Sequence, residues 1–293
     1  MIVSLSQLLQ ATFSGVGAGF VYGLLGIGFV ITQRITGVLN FAQGHIAVTG
    51  AFAAVLASRV MPIGFAVLVG ALVAAVVSAV IYLAAVWPLR RTGLLEQSMV
   101  TLACSILMLA GLQLAFGTDP RSLTPFSPGG PIQVGGAALS RQTVWIIVVG
   151  AALTVVLYWF FERTSIGTAV RACAVNRYAA EVVGINVTLM AVFSFALSGL
   201  VSGAIVAAQA PLTFVTFSAG LTLTLKGFVA AAVAGMNNVT AALVGGVLLG
   251  LLEAWSTLLI SSSYQNLIAL ALLLGVLILR PTGLARVKVS ERV

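Results

Sequence analysis

Apolar residues dominate the chain in runs long enough to cross a lipid bilayer. Runs such as 65–83 and 267–279 are apolar on every face, which predicts membrane helices rather than the alternating strands of a β-barrel. Because one crossing requires about 20 apolar residues, we predict eight crossings, at 9–33, 38–58, 64–87, 98–116, 143–161, 188–210, 239–259 and 265–280. A ninth apolar stretch, 220–236, is interrupted by Lys226 and by glycines, and it either crosses the membrane or re-enters it.

The composition indicates that lipid, rather than water, surrounds this chain. Charged residues are 7 % of the 293 positions and hydrophobic residues are 60 %, whereas soluble chains carry about 25 % charged residues. We therefore predict an all-α transmembrane bundle of eight or nine spans that forms a single domain over 1–293. The net charge of +8 is attributed to cytoplasmic loops rather than to nucleic-acid binding.

The basic residues predict an orientation. Ten of the 14 lysines and arginines fall in segments predicted to be cytoplasmic, namely Arg34, Arg90, Arg91, Arg163, Arg171, Arg177, Arg280, Arg286, Lys288 and Arg292. Since cytoplasmic loops are enriched in Lys and Arg, the N-terminus is expected outside and the C-terminus in the cytoplasm. This arrangement makes 117–142 a periplasmic loop and 162–187 a cytoplasmic loop, and it requires 220–236 to cross.

The two large loops differ in character. The loop 117–142 is too rich in Gly and Pro to be one continuous helix, and it either covers the outer mouth of the bundle or only connects two spans. The loop 162–187 is predicted to hold a short helix over 167–184, ended by Gly184. Small and apolar residues fall near helical spacing along it, namely Ala172, Val175, Ala179, Val182 and Val183. This helix either docks on another protein or rests on the lipid surface.

Polar side chains within the predicted spans are the other candidate functional residues. Asn40, Gln43 and His45 lie at the inner start of the second span, where they either face a cavity or hydrogen-bond to neighbouring helices. The charge of Lys226 costs free energy near a span, unless the side chain extends to the membrane surface or pairs with an opposite charge. Glu253 either pairs with Lys226 or faces a wet cavity or the outer rim.

Motifs for catalysis and metal binding are absent from the sequence. There is no Gly-x-x-x-x-Gly-Lys-Ser/Thr loop, so ATP is not expected to be hydrolysed by this chain, and there is neither an HExxH motif nor a nucleophile elbow. The chain has one histidine, and Cys104 and Cys173 are too far apart in sequence to form a metal-ligand spacing. We therefore predict a protein that is not an enzyme and has no catalytic residue, metal or cofactor.

Four segments, in the same order along the chain, resemble the branched-chain amino-acid ABC transporter permeases of the LivH type. They are 23–55 with its run Asn40-Phe41-Ala42-Gln43-Gly44, the loop 167–186, the stretch Leu225-Lys226-Gly227-Phe228, and the ending Arg280-Pro281-Thr282-Gly283-Leu284. The resemblance covers nearly the whole chain. Its collinearity is more specific than any one of the motifs.

The resemblance implies a transmembrane permease domain over 1–293, located in a bacterial inner membrane, that is one subunit of an importer and works with other chains. It implies cytoplasmic ATP-binding subunits, a second permease subunit, a periplasmic solute-binding protein and the lipid bilayer as partners. It also implies a surface for coupling to the ATP-binding subunit at Gly167, Arg171, Ala172, Asn176, Ala180 and Gly184. The substrate path is implied to include Asn40, Gln43, Gly44, His45 and Lys226.

The sequence departs from the family pattern at several positions. Gln43 stands where the family commonly has His, and His45 stands where it commonly has Glu. Ala234-Gly235 and Thr240 replace a Gly-Gly pair and a Pro. These changes leave branched-chain amino acids, urea, short amides and other amino acids open as substrates. A secondary transporter that works alone is the competing class, although Glu253 is the one carboxylate clearly inside a predicted span.

Overall fold

The structure is a computed structural model that describes residues 4–236 and 238–279. These residues form helices and one short β-hairpin. The helices are α1 (Leu5–Thr36), α2 (Gln43–Ala57), α3 (Ile63–Ile81), α4 (Leu94–Phe116), α5 (Arg141–Arg163), α6 (Ser165–Val175), α7 (Arg177–Val182), α8 (Val187–Gln209), α9 (Ala219–Val233), α10 (Val239–Leu259) and α11 (Gln265–Leu279). The hairpin pairs β1 (Ile132–Val134) with β2 (Ala137–Leu139). The C-terminal basic cluster (Arg280, Arg286, Lys288 and Arg292) and the motif at 280–284 lie outside the described residues.

Six helical segments in the described part are long and apolar enough to cross a membrane on their own. They are Leu5–Thr36, Ile63–Leu89, Leu94–Phe116, Arg141–Arg163, Val187–Gln209 and Val239–Leu259. The predicted crossings 38–58 and 220–236 contain α2 and α9, each of 15 residues. At 1.5 Å per residue, each helix is about 22 Å long, which is shorter than the hydrocarbon core of about 30 Å. The number of crossings therefore stays a prediction.

Helix α1 lies at the centre of the bundle. In its most apolar stretch 83 % of the residues are buried, against 17 % in the corresponding stretches of α4 and α5. Small residues permit this central position, since α1 packs on α10 through backbone rather than side chains. A Cβ on Gly246 of α10 would collide with the backbone of Gly23 in α1. Close glycine contacts of this kind let membrane helices gain dispersion energy without a hydrophobic driving force.

The predicted second span is helical only over α2, because residues 38–40 form irregular backbone and residues 41–42 a turn. Helix α1 ends at Gly37, whose φ of 75° is left-handed. The backbone that follows is buried, and hydroxyl groups of α4 satisfy part of it. Thr101 Oγ1 accepts a hydrogen bond from the Phe41 amide at 2.9 Å and donates one to the Leu39 carbonyl at 2.9 Å. Irregular backbone at membrane depth is tolerated when protein groups bond to it in this way.

Residues 117–142 contain no continuous helix, as the Gly and Pro content predicts. The segment folds back through the hairpin, whose tight turn uses Gly135 and Gly136 at φ values of 58° and 80°. The Arg121 amide donates to the Val215 carbonyl at 3.0 Å, and the Val215 amide donates back to the Arg121 carbonyl. The segment therefore contacts the loop between α8 and α9 and does more than connect two helices.

Residues 162–187 form two short helices rather than one. The extended backbone of Asn176, with φ −153° and ψ 105°, separates α6 from α7. The prediction of a single helix over 167–184 is wrong in this respect. The Asn176 side chain accepts a hydrogen bond from the Ala179 amide at 3.0 Å, so it caps α7 and competes with continued helix. Gly184 follows α7 with φ 88°, as expected of a glycine that ends a helix.

Candidate functional site

Three buried polar side chains join α8 to the start of α2. Gln43 Oε1 accepts hydrogen bonds from Asn40 Nδ2 at 3.2 Å and from Ser198 Oγ at 2.8 Å. Gln43 Nε2 donates to the Ser198 carbonyl at 3.1 Å. All three side chains are fully buried. In this state the network holds helices together instead of facing a cavity, and Ser198 is the member that sequence reasoning missed.

Gly44 and His45 continue this contact toward α9 and α4. The Gly44 amide donates to Thr224 Oγ1 at 3.0 Å, and a Cβ on Gly44 would collide with the Gly220 carbonyl. His45 is 2 % exposed, and its Nδ1 lies 2.7 Å from Ser105 Oγ. Its Nε2 has no hydrogen-bond partner within the part of the chain that the structure describes. Thus four of the five predicted path residues are packed inside the subunit.

The fifth predicted path residue, Lys226, belongs to a buried ionic cluster. Lys226 Nζ lies 3.0 Å from Glu253 Oε2 and donates to Tyr22 Oη at 3.1 Å. The Tyr22 hydroxyl donates to the same Glu253 oxygen at 3.0 Å. Lys226 and Glu253 therefore pair with each other, which was one of the predicted alternatives. The cluster joins α9 to α10 and α1. Sequence reasoning missed Tyr22, because this residue is far from Lys226 and Glu253 along the chain and no local pattern connects it to them.

Two cavities meet at this cluster, both on the face of the bundle that carries residues 117–142. Lys226 and Tyr22 line a cavity of about 250 Å³ that Val215 and neighbouring loop residues border. Tyr22 and Glu253 line a second cavity of about 440 Å³ between α1 and α10, together with Ser14. Glu253 Oε1 accepts no hydrogen bond from the described residues. The cluster therefore presents its ammonium to one cavity and its carboxylate to the other.

The helices α6 and α7 carry a group of strongly exposed apolar side chains on the opposite face of the bundle. They are Val175, Tyr178, Val182 and Val183, whose exposed fractions are 84 %, 77 %, 70 % and 75 %. We call these four residues the α6–α7 patch. Single exposed apolar residues are ordinary, but a group of them is what either a protein partner or the lipid surface would cover.

The six residues implied for coupling divide into three environments around the patch. Asn176 and Gly184 are exposed, while Ala172 is partly buried. Arg171 is partly exposed and forms a salt bridge of 2.7 Å with Glu162. Gly167 and Ala180 are buried inside this chain, and a Cβ on Gly167 would collide with the backbone of α5. These two residues therefore position α6 and α7, and their side chains do not face a partner.

Comparison with known proteins agrees with this architecture. Residues 11–277 match the family described as the permease component of branched-chain amino acid transport systems. LivH, a high-affinity branched-chain amino acid transport system permease of Escherichia coli K12, is 28 % identical over 299 residues, which cover 94 % of each chain. BraD of Pseudomonas aeruginosa is 26 % identical over 292 residues, covering 94 % of this chain and 95 % of that one. The ribose import permease RbsC of Haemophilus influenzae is 28 % identical, covering 88 % and 81 %.

Solved structures share the fold at lower identity. PsaBC from Streptococcus pneumoniae, solved with a Fab, superposes with a TM-score of 0.56 at 15 % identity, covering 95 % of this chain and 94 % of that one. A putative metal-chelate type ABC transporter in an inward-facing conformation gives 0.54 at 17 % identity, covering 96 % and 92 %. With the family match spanning most of its length, the chain belongs to the permease components of branched-chain amino acid transport systems, which are inner-membrane subunits of ABC transporters and not enzymes.

Proposed function

We propose that this subunit forms part of the path by which branched-chain amino acids, or a related small polar solute, enter the cell. In this proposal separate ATP-binding subunits drive the import. A periplasmic solute-binding protein delivers the solute, and a second permease subunit, identical or homologous, completes the path. The observation that carries the proposal is the α6–α7 patch, which joins directly to two long membrane helices.

The α6–α7 patch suits a protein partner because it is apolar, exposed and rigidly attached. A Cβ on Gly167 would meet the backbone of Phe161 in α5, and Ala180 is 3 % exposed against the bundle. A displacement of the patch would therefore be transmitted to α5 and α8, because no flexible linker separates the patch from these helices. ATP binding that moves the partner subunits would rock these spans between two arrangements. In this reading 162–187 is the coupling loop on the cytoplasmic side.

We further propose nine crossings with the N-terminus outside. In this arrangement nine helices cross the membrane. They are the short helices α2, α9 and α11 and the longer helices α1, α3, α4, α5, α8 and α10. The non-helical residues 38–42 precede α2 and would supply part of the length that its crossing lacks. Arg90, Arg91, Arg163 and Arg177 then share one side with the α6–α7 patch, as the positive-inside rule requires.

The solute path is proposed to involve Lys226 more directly than the other four path residues. Lys226 lines the 250 Å³ cavity on the face assigned to the periplasm. Asn40, Gln43, Gly44 and His45 would act by holding α2 against α8 and the first turns of α9, within the depth of the bundle. Rearrangement of their hydrogen bonds would accompany opening toward the cytoplasm, because buried polar groups must stay bonded in each state.

Substitution of the α6–α7 patch tests the proposal. Val175→Asp places a charge in the patch, whereas Val60→Asp places the same charge at a Val that is equally exposed, 83 % against 84 %, but on the opposite face. We expect Val175→Asp to lose the ATP-binding subunits on copurification and to lose ATP-driven uptake in proteoliposomes, while Val60→Asp keeps both. Copurification and uptake that survive Val175→Asp would count against docking at this patch.

Two further variants separate coupling from assembly. Gly184→Pro is incompatible with the φ of 88°, and Arg171→Glu reverses the charge that pairs with Glu162. Both variants should insert normally and fail in ATP-driven uptake. Uptake by the purified chain alone, with an ion gradient and without ATP-binding subunits, would instead establish the secondary transporter.

A further inference from the structure

A third cavity lies on the face of the bundle that carries the α6–α7 patch, away from the ionic cluster. The ends of α1 and α5, helix α6 and the first turn of α10 enclose a volume of about 280 Å³. Of the residues assigned above to the solute path and to coupling, Arg171 alone is among the described residues that line this cavity. It lies where the spans α1 and α5 end, which is the level of a membrane surface.

The cavity wall has an apolar part and a cationic part. Ile31, Ile35 and Val170 are aliphatic residues of the lining, and Arg34 and Arg171 are its two basic residues. A small hydrophilic ion needs only the cationic part. A phospholipid has the same two-part chemistry as this wall, with an acyl chain next to a phosphate.

The two guanidinium groups are not equivalent. Arg171 forms its 2.7 Å salt bridge with Glu162, a residue that also lines the cavity. Arg34 makes no ion pair and no side-chain hydrogen bond with the residues that the structure describes. The lining therefore keeps one uncompensated positive charge, on Arg34. In the first turn of α10, the Thr240 amide already donates to Asn238 Oδ1 at 3.0 Å.

We propose that this cavity binds an anionic phospholipid, with its phosphate at Arg34 and an acyl chain along Ile31, Ile35 and Val170. The guanidinium of Arg34 offers a paired set of N–H donors that fits two phosphate oxygens. The lipid would bridge α1 to α6 and so support the short helices that carry the α6–α7 patch. The site does not depend on the transport function, although the proposed orientation assigns it to the cytoplasmic leaflet.

Native mass spectrometry of the purified chain, released from nanodiscs of mixed phosphatidylglycerol and phosphatidylcholine, tests the proposal. Wild type should retain phosphatidylglycerol in preference to phosphatidylcholine. Arg34→Gln should reduce that retention about fivefold, as expected from about 1 kcal/mol per basic residue near an anionic lipid. Arg91→Gln is the matched control, since it removes the same charge from an exposed position outside the cavity, and it should leave retention unchanged.

A second measurement separates a lipid phosphate from a free one. Inorganic phosphate added to protein in a neutral detergent should not raise its thermal midpoint. A rise that Arg34→Gln abolishes, without any preference for phosphatidylglycerol, would overturn the lipid assignment in favour of a soluble anion. Equal loss of phosphatidylglycerol in Arg34→Gln and Arg91→Gln would overturn the site itself, because general surface charge would then explain retention.

Discussion

Lys226 Nζ lies 3.0 Å from Glu253 Oε2 within the bundle, and the two side chains are 9 % and 5 % exposed. They come from α9 and α10, and both also bond to Tyr22 of α1. One ion pair therefore ties three helices together between two cavities. A charge in this position is stable only while its partner is present, because desolvation of a lone ion costs several kcal/mol.

The first prediction concerns loss of either member of this pair. Lys226→Met leaves a buried carboxylate, and Glu253→Gln leaves a buried ammonium, so each variant should lose about 3–5 kcal/mol of stability. The double variant Lys226→Met/Glu253→Gln should recover most of that loss, because no buried charge remains. The stabilities of the two single variants and of the double variant are measured by thermal unfolding of the purified proteins in detergent.

The salt bridge Arg171–Glu162 is the matched control for this prediction. Its side chains are 39 % and 48 % exposed, so Arg171→Met should cost no more than about 1 kcal/mol. Equal destabilisation by Arg171→Met and Lys226→Met would show that burial does not decide the strength of these pairs.

A second prediction addresses the hydrogen bonds of Gln43. Gln43→Leu removes the acceptor of Asn40 Nδ2 and Ser198 Oγ, so it should destabilise the protein by about 1–3 kcal/mol. Gln113→Leu serves as the control, because Gln113 is exposed on α4 and should be close to neutral. Thermal midpoints are measured beside uptake. A Gln43→Leu protein of unchanged stability and lost uptake would assign this side chain to the path alone.

The third prediction concerns the approach of α1 to α10. Gly246→Ala places a methyl group against the Gly23 backbone, and such overpacking should cost about 1–3 kcal/mol. Gly111→Ala makes the same change within α4, where no atom outside the helix's own backbone lies within 4 Å of the new Cβ. That variant should be stabilised by about 0.5–1 kcal/mol, since Ala is the better helix former. Equal folded yields and midpoints for the two would contradict the packing.

A fourth prediction uses thiol reactivity to test the structure of α6. Cys173 is 3 % exposed, and its burial raises the pKa of the thiol, an effect that nearby Arg177 partly offsets. Because the thiolate is the nucleophile, maleimide should react slowly with Cys173 near neutral pH, and its rate should keep rising at pH values where an ordinary thiol has levelled off.

Val175→Cys, made in a chain with Cys104→Ala and Cys173→Ala, provides the comparison. Its position is 84 % exposed, so it should react much faster than Cys173. Labelling of Val175→Cys by a membrane-impermeant maleimide in inside-out vesicles, and not in intact cells, is expected from the proposed orientation. The reverse result would place the α6–α7 patch outside the cell.

Some structural details missed at the sequence level had a local signal. Gly135-Gly136 between short apolar runs is typical of a tight hairpin turn, and Asn176 within an Ala-rich helix is typical of a new N-cap. Other details had no local signal. The non-helical residues 38–42 read as part of an apolar span, and hydroxyl groups of α4, about 60 positions away in sequence, satisfy part of that backbone.

The sequence by itself determined that the chain is a helical membrane protein, which family it resembles, and which polar residues interrupt its apolar runs. Those properties depend on composition, run length and collinear motifs, all of which are local or additive along the chain. Tertiary structure alone decided that Lys226 pairs with Glu253, that Gln43 bonds to Ser198, and that Ala180 is buried while Val175 is exposed. A polar group in hydrocarbon takes whichever partner packing brings within about 3 Å, and sequence distance places no limit on that partner.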